Sequence, residues 1–162
     1  MAWHPARVMI YFTDAIVLKR TDAGEADLFF TLYTKEFGKI RASAQGIKKE
    51  GAKLRGHLEP PSFVHVGFVS TRHGERLVHA SLIVPWATIR RELLLMGTAL
   101  RIADFLDRHV FDRESDITVW DALLDAYGAL DGGRVPVAAC ETFRAAWEKR
   151  MGQWCESGMR GA

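Results

Sequence analysis

Cysteine is nearly missing from this 162-residue chain: Cys140 and Cys155 are its two, and neither has a Cys-x-x-Cys partner. That spacing excludes a self-contained four-ligand zinc site and a disulfide framework, and it leaves buried or idle thiols. A long hydrophobic run is absent too. The longest apolar stretch, ELLLMGTALRIADFL, is interrupted by Arg101 and Asp104 and preceded by Arg90 and Arg91, so it reads as a core helix and not as a span of roughly 30 Å of hydrocarbon. The N-terminal MAWHPARVMIYFTD holds a short apolar patch but no sustained hydrophobic region or small-residue cleavage site. No secretion signal is expected, and the chain is expected in the cytoplasm. Also missing are a Gly-rich loop ending in Gly-Lys-Ser/Thr, a His-Glu-x-x-His and a Gly-x-Ser-x-Gly. Nucleotide hydrolysis, zinc proteolysis and serine-hydrolase chemistry therefore lose their usual hooks.

What is present suits a folded chain. With 48% hydrophobic and 26% charged residues, the composition supports one compact domain or two small ones and argues against disorder. The net charge of +2 is too small to announce a nucleic-acid protein, but its distribution is uneven. Through Leu82 there are twelve Lys plus Arg against eight Asp plus Glu, and from Ile83 onward ten against twelve. The basic excess belongs to the first half.

The hydrophobic period changes at the same place. TDAIVLKRT is apolar on both faces in its middle, and ADLFFTLYT puts Leu28, Phe30 and Leu32 on one face with Phe29, Thr31 and Tyr33 on the other. GKIRASAQG turns Ile40, Ala42 and Ala44 inward and Lys39, Arg41, Ser43 and Gln45 outward, with Phe37-Gly38 as the turn before it. PSFVHVGFVS and ERLVHASLIV alternate again across TRHGE, whose glycine signals a turn. Five strands in some seventy residues predict a small antiparallel barrel over residues 1–84. From Ile89 the apolar positions Leu93, Met96, Leu100, Ala103, Leu106 and Val110 step by three and four, a helical stripe. A second helix is predicted from the N-cap Asp116 to the stop at DGG, and a third after Pro136, carrying Val137, Cys140, Phe143, Trp147, Met151 and Trp154. Residues 85–162 thus read as a bundle of about three helices, and the fold class as α+β.

The residues with chemistry to offer lie on the outward side of the second and third strands. Phe29 and Tyr33 sit there beside Lys39 and Arg41, and aromatics interleaved with cations suit single-stranded nucleic acid, rings stacking on bases while cations follow phosphates. The competing reading is that the rings pack under the helical half and the cations are simply solvated. GIKKEGAKLRGHLEP tips the balance, because Lys48, Lys49, Lys53 and Arg55 on a Gly-rich segment between strands three and four can close over a bound strand. Of six histidines, His65 and His79 fall on strands where they can face each other. A pair without a third ligand is a poor metal site, so they read as satisfied strand histidines. Two other classes stay open. The barrel could be a protein-interaction adaptor holding a peptide tail, or an unrecognised metal-dependent hydrolase could use His57 with Glu59.

The stretch from Thr13 to Val64 resembles the N-terminal domain of the bacterial recombination mediator family RecO. The resemblance is carried by the Ile-Val-Leu first strand, the Gly24-Glu25-Ala26-Asp27 step, the Thr34-Lys35-Glu36-Phe37-Gly38-Lys39 turn, the basic segment from Gly46, and Leu54-Arg55-Gly56 running into Leu58-Glu59-Pro60. It continues more weakly through IRRELLLMGTALRIADFLDR and LLDAYGAL, and residues 1–11 stand outside it as an extension. The resemblance implies an oligonucleotide-binding (OB) barrel followed by a helical domain, and a non-catalytic, nucleoid-associated role in DNA repair and recombination. It implies binding of single- and double-stranded DNA, strand annealing, contacts with RecR and with the C-terminal tail of single-stranded-DNA-binding protein, and help in loading RecA on coated gaps. No catalytic residues and no cofactor come with it. Many members add a four-cysteine zinc segment; Cys155 alone cannot rebuild one, so no metal is expected here.

Overall fold

The computed structural model describes residues 7–23, 27–45 and 57–159, with side chains outside residues 23, 27, 45 and 152–159. Five strands come first: β1 (Ile10–Ala23), β2 (Asp27–Thr34), β3 (Gly38–Gln45), β4 (Ser62–Thr71) and β5 (Gly74–Val84). They close into a barrel in the order β1-β2-β3-β5-β4. Size complementarity fills its interior. Phe30 faces Ala42 and Leu28 faces Ala44 across the β2–β3 ladder, so large residues on one strand meet small ones on the next. Ala15, Val17, Leu32, Ile40, Val64, Val66 and Phe68 belong to the same buried cluster, with Leu58, Leu77 and Ala80.

The fold is α+β as expected, but the sheet is not antiparallel throughout. β3 and β5 pair in parallel through Ala42–Glu75 and Ser43–Arg76. A closed ring with an odd number of strands cannot alternate direction all the way round, so one neighbouring pair must run the same way.

Pro85 and Trp86 end the last strand, and Trp86, at φ 46, turns the chain into the short α1 (Ala87–Arg91). The first turn of α1 is held from a distance: Asp131 Oδ1 accepts from the backbone N–H of Thr88 at 2.9 Å and of Ile89 at 3.2 Å. Glu92 is extended and breaks the helix before α2 (Leu93–His109). Then come α3 (Ile117–Asp131), capped by Asp116 accepting from Val119 N at 3.1 Å, and α4 (Pro136–Met159), whose leading proline suits a first helical turn.

The helices build a second core against the outside of the barrel. Ile16, Leu18 and Tyr33 point outward from the strands into a cluster with Trp86, Ile102, Leu106, Trp120, Leu123 and Tyr127. The face that α2 turns inward is Leu95, Ala99, Ile102, Ala103 and Leu106, whereas Leu93 and Leu100 are exposed. Of the predicted stripe, Ala103, Leu106 and Val110 are buried and Met96 packs against the core, while Leu93 and Leu100 in its first half face outward. Gly38 fixes one more contact. Its φ is +68, and a Cβ there would lie 2.3 Å from the backbone of Glu114, in the segment joining α2 to α3. Only glycine allows both the turn and the close approach.

Candidate nucleic-acid interface

The outward side of the β2–β3 ladder includes the cross-strand pairs Phe29 with Ser43, Thr31 with Arg41, and Tyr33 with Lys39. Alternation placed all of these outside the barrel, and they are outside it. Outside is not the same as exposed. The helical half covers one end of this face, and the four candidates divide accordingly.

Tyr33 and Lys39 lie at the covered end. Tyr33 has 0% exposure, its ring stacks near Trp120 at 6.4 Å, and its hydroxyl donates to Asp116 O at 3.4 Å. Burial, with the Asp116 charge beside it, pushes its phenol up to about 12. A base cannot stack on a ring with no free surface, so Tyr33 is a core residue. Lys39 is 4% exposed; its Nζ donates to the Asp107 carbonyl at 2.7 Å and lies 3.5 Å from the Asp107 carboxylate and 3.4 Å from that of Asp112. Its charge is consumed inside the protein. Both are corrections to the sequence reading: the helical half covers that end of the ladder, with Trp120 and the Asp116 cap of α3 over Tyr33 and Asp107 of α2 with Asp112 on Lys39.

Asp107 is the centre of this arrangement. Lys19 Nζ donates to Asp107 Oδ2 and to Asp104 Oδ1, both at 2.9 Å, and Arg41 Nη2 reaches Asp107 Oδ1 at 3.5 Å. Burial raises the Asp107 carboxyl, but the Lys19 hydrogen bond and the charges of Lys19, Lys39 and Arg41 outweigh it and hold the group below its ordinary range. Asp104 is lowered chiefly by the Lys19 hydrogen bond, and Lys19 is raised by its bonds to Asp104 and Asp107. These ion pairs fasten the barrel to the helices.

Phe29 and Arg41 lie at the open end. Phe29 is 41% exposed, and the Arg41 side chain is 60% exposed, drawn on among the described residues by the long Asp107 contact. An exposed phenyl ring and a guanidinium two rungs apart can serve a base and a phosphate. Lys48, Lys49, Lys53 and Arg55 lie outside the described residues, although the chain leaves β3 at Gln45, on this same ladder. Sequence reasoning overlooked Arg76, which is exposed and pairs with Ser43 in the parallel β3–β5 ladder. The alternation of β5 was visible, but only the closed strand order brings its first residues beside β3.

The other candidates come apart. His57 Nδ1 lies 3.2 Å from Ala80 O, while Glu59 takes Arg20 Nη1 at 2.5 Å, so each is occupied elsewhere and no acid–base pair forms. His65 and His79 are not opposite each other; His65 pairs with Ser81, His79 with Gly67. Among the described residues no group of three or more His, Cys, Asp or Glu side chains could hold a metal, and no helix is long and apolar enough to cross a membrane.

A further feature is a groove of about 550 Å³ where α2 meets the start of α4, floored by Ile102, Phe105 and Phe143 and edged by Arg101, Glu141 and Arg144, the last paired with Glu148 at 2.8 Å. The exposed Leu94 and Val137 extend its apolar lining. The sequence signal for it is apolar residues on the helix faces opposite the buried ones, which periodicity alone does not distinguish from a misjudged stripe.

A five-stranded barrel in this strand order, with a helical domain fastened to its outer face, defines an OB-fold protein with an appended helical domain. Residues 9–85 match the family described as recombination protein O, N terminal. The chain carries the N-terminal domain of the RecO family. Over 133 residues it is 32% identical to the DNA repair protein RecO of Pelotomaculum thermopropionicum, covering 80% of this chain and 51% of that protein. The RecO proteins of Exiguobacterium sibiricum and Myxococcus xanthus are 29% and 34% identical, over 79% and 72% of this chain and 51% and 48% of theirs. The chain spans about half the length of the curated relatives it matches.

Proposed function

We propose that this chain acts in DNA repair and recombination as a non-catalytic mediator, binding single- and double-stranded DNA and bringing complementary strands together, with RecA loading on protein-coated gaps as the outcome. The observation that carries the reading is the open end of the β2–β3 face, where Phe29 and Arg41 are exposed next to the origin of the Lys48–Arg55 segment, in a domain of the RecO family. The mechanism is electrostatic. Lys and Arg neutralise phosphates and release counterions, and two strands so screened can approach each other closely enough to pair.

A peptide-binding role on the helical half, apart from the barrel adaptor considered above, is supported by the groove between α2 and α4. An acidic peptide ending in apolar residues matches it, its carboxylates on Arg101 and Arg144 and its side chains on Phe105 and Phe143. The tail of single-stranded-DNA-binding protein is the proposed occupant, and RecR a further partner.

The test compares DNA affinity across salt concentrations for the wild type, Arg41→Ala, and the combined Lys48→Ala, Lys49→Ala and Lys53→Ala variant. Each lost phosphate contact is expected to weaken binding regardless of base sequence and to make the log–log salt slope shallower by roughly 0.7 for a single strand. Unchanged affinity and slope in both variants would remove the proposed interface.

A further inference from the structure

On the opposite side of the barrel a second aromatic surface lies open. Phe12 points outward from β1, pairs with Gly67 of β4, and is 52% exposed. Gly67 makes its seat: a Cβ at that position would come within 2.8 Å of the Phe12 ring, so the ring rests against the strand itself. The His65 ring lies nearly parallel to it, 5° between planes with centroids 6.0 Å apart, and His79 meets it edge-on at 6.2 Å. His65 is itself held, its Nδ1 2.8 Å from Asp14 Oδ1; a carboxylate only accepts, so Nδ1 carries the hydrogen.

We infer that Phe12, with His65 and His79 beside it, is a stacking platform for an unpaired nucleobase, a second contact point for single-stranded nucleic acid on the β1–β4–β5 side. Ring geometry favours this occupant. A half-exposed phenyl ring laid on a strand, with a parallel imidazole stacked beside it, offers a π face rimmed by polar groups, the form in which small barrels stack bases. Charge favours it as well. Arg76 lies on the outer surface between the two faces, paired with Ser43 on β3 and with Val69 on β4, so a strand leaving Arg41 meets a cation before it reaches Phe12. The crossing from β3 over β5 and β4 to β1 is three inter-strand spacings, roughly 14 Å. The inference rests on the DNA-binding reading above and adds a path for the strand around the barrel.

The experiment measures affinity of the full chain for a single-stranded oligonucleotide and for a duplex at one fixed salt concentration, in wild type, Phe12→Ala, Phe12→Trp and Arg41→Ala. Phe12→Ala is expected to lose about 5- to 150-fold for the single strand, the value of one stacked base, with duplex affinity unchanged. Phe12→Trp keeps the affinity, and the emission that the new indole adds is quenched by the oligonucleotide. Wild-type affinity in Phe12→Ala, or in Phe12→Trp no quenching, overturns the platform. If Arg41→Ala still weakens binding in that case, the DNA-binding reading survives it; if the wild type binds neither probe, both fall.

Discussion

Tyr33 and Lys39 set the limit of what alternation can tell. Period two assigns a residue to the inside or outside of a barrel, and for both it did so correctly, but it carries no information on what covers the outside. Tyr33→Ala is expected to cost about 3–5 kcal/mol of stability, because it empties a fully packed site between β2 and Trp120. Lys39→Ala is expected to cost about 1–3 kcal/mol, since Asp107 and Asp112 lose a buried partner while Lys19 and Arg41 stay at Asp107. Arg41→Ala is expected to change stability by no more than about 0.5 kcal/mol, its ion pair being long and largely exposed. Urea denaturation of the three variants checks the ranking; a destabilisation by Arg41→Ala equal to that by Lys39→Ala would mean that Arg41 is structural too. Phe29, two rungs further along the same face from Tyr33's end, is exposed, and no count of residues within β2 separates the two.

Between elements, the join of barrel and helices is electrostatic at its edge. Asp104, Asp107 and Asp116 all hold their protons less tightly than ordinary carboxylates; at Asp116 burial acts upward, but the hydrogen bond from Arg150 Nε at 2.5 Å, the backbone N–H of Val119 and the Arg150 charge together outweigh it. A carboxyl lowered in the folded state contributes stability that is complete above its unfolded value near 4 and lost as pH falls through the lower folded value. The urea midpoint should therefore show no loss from these groups between pH 5 and 7 and should drop below pH 4, less steeply in Asp107→Asn. An equal drop in wild type and Asp107→Asn would contradict the role given to Asp107. The groove between α2 and α4 makes its own prediction: Arg101→Ala with Arg144→Ala should weaken an acidic C-terminal peptide at least tenfold by calorimetry, with DNA affinity unaffected. The helices were legible as elements, down to the Asp116 cap and the Gly132-Gly133 stop, and so was the inward face of α2 from Ala103 onward. In its first turns a count by three and four also admits Leu93 and Leu100, which lie off the buried face of Leu95, Ala99 and Ile102.

For the whole molecule, the barrel and its family were readable from the period-two segments and the spacing of their turns, because each strand carries its own alternation. Closure was not readable. The neighbours that only closure creates, Arg76 beside Ser43 and Phe12 on Gly67, are the ones the sequence reading lacked, since each joins residues more than thirty positions apart. A claim that DNA binds the outside of this barrel through phosphates is a claim about charge, and salt addresses charge directly. Fluorescence anisotropy of a labelled single strand should give an affinity that falls linearly on a log–log plot, with a slope near −3.5 if Arg41, Lys48, Lys49, Lys53 and Arg55 each neutralise one phosphate at about −0.7 apiece. An affinity that does not change between low and physiological salt, or no binding at low salt, would contradict the account.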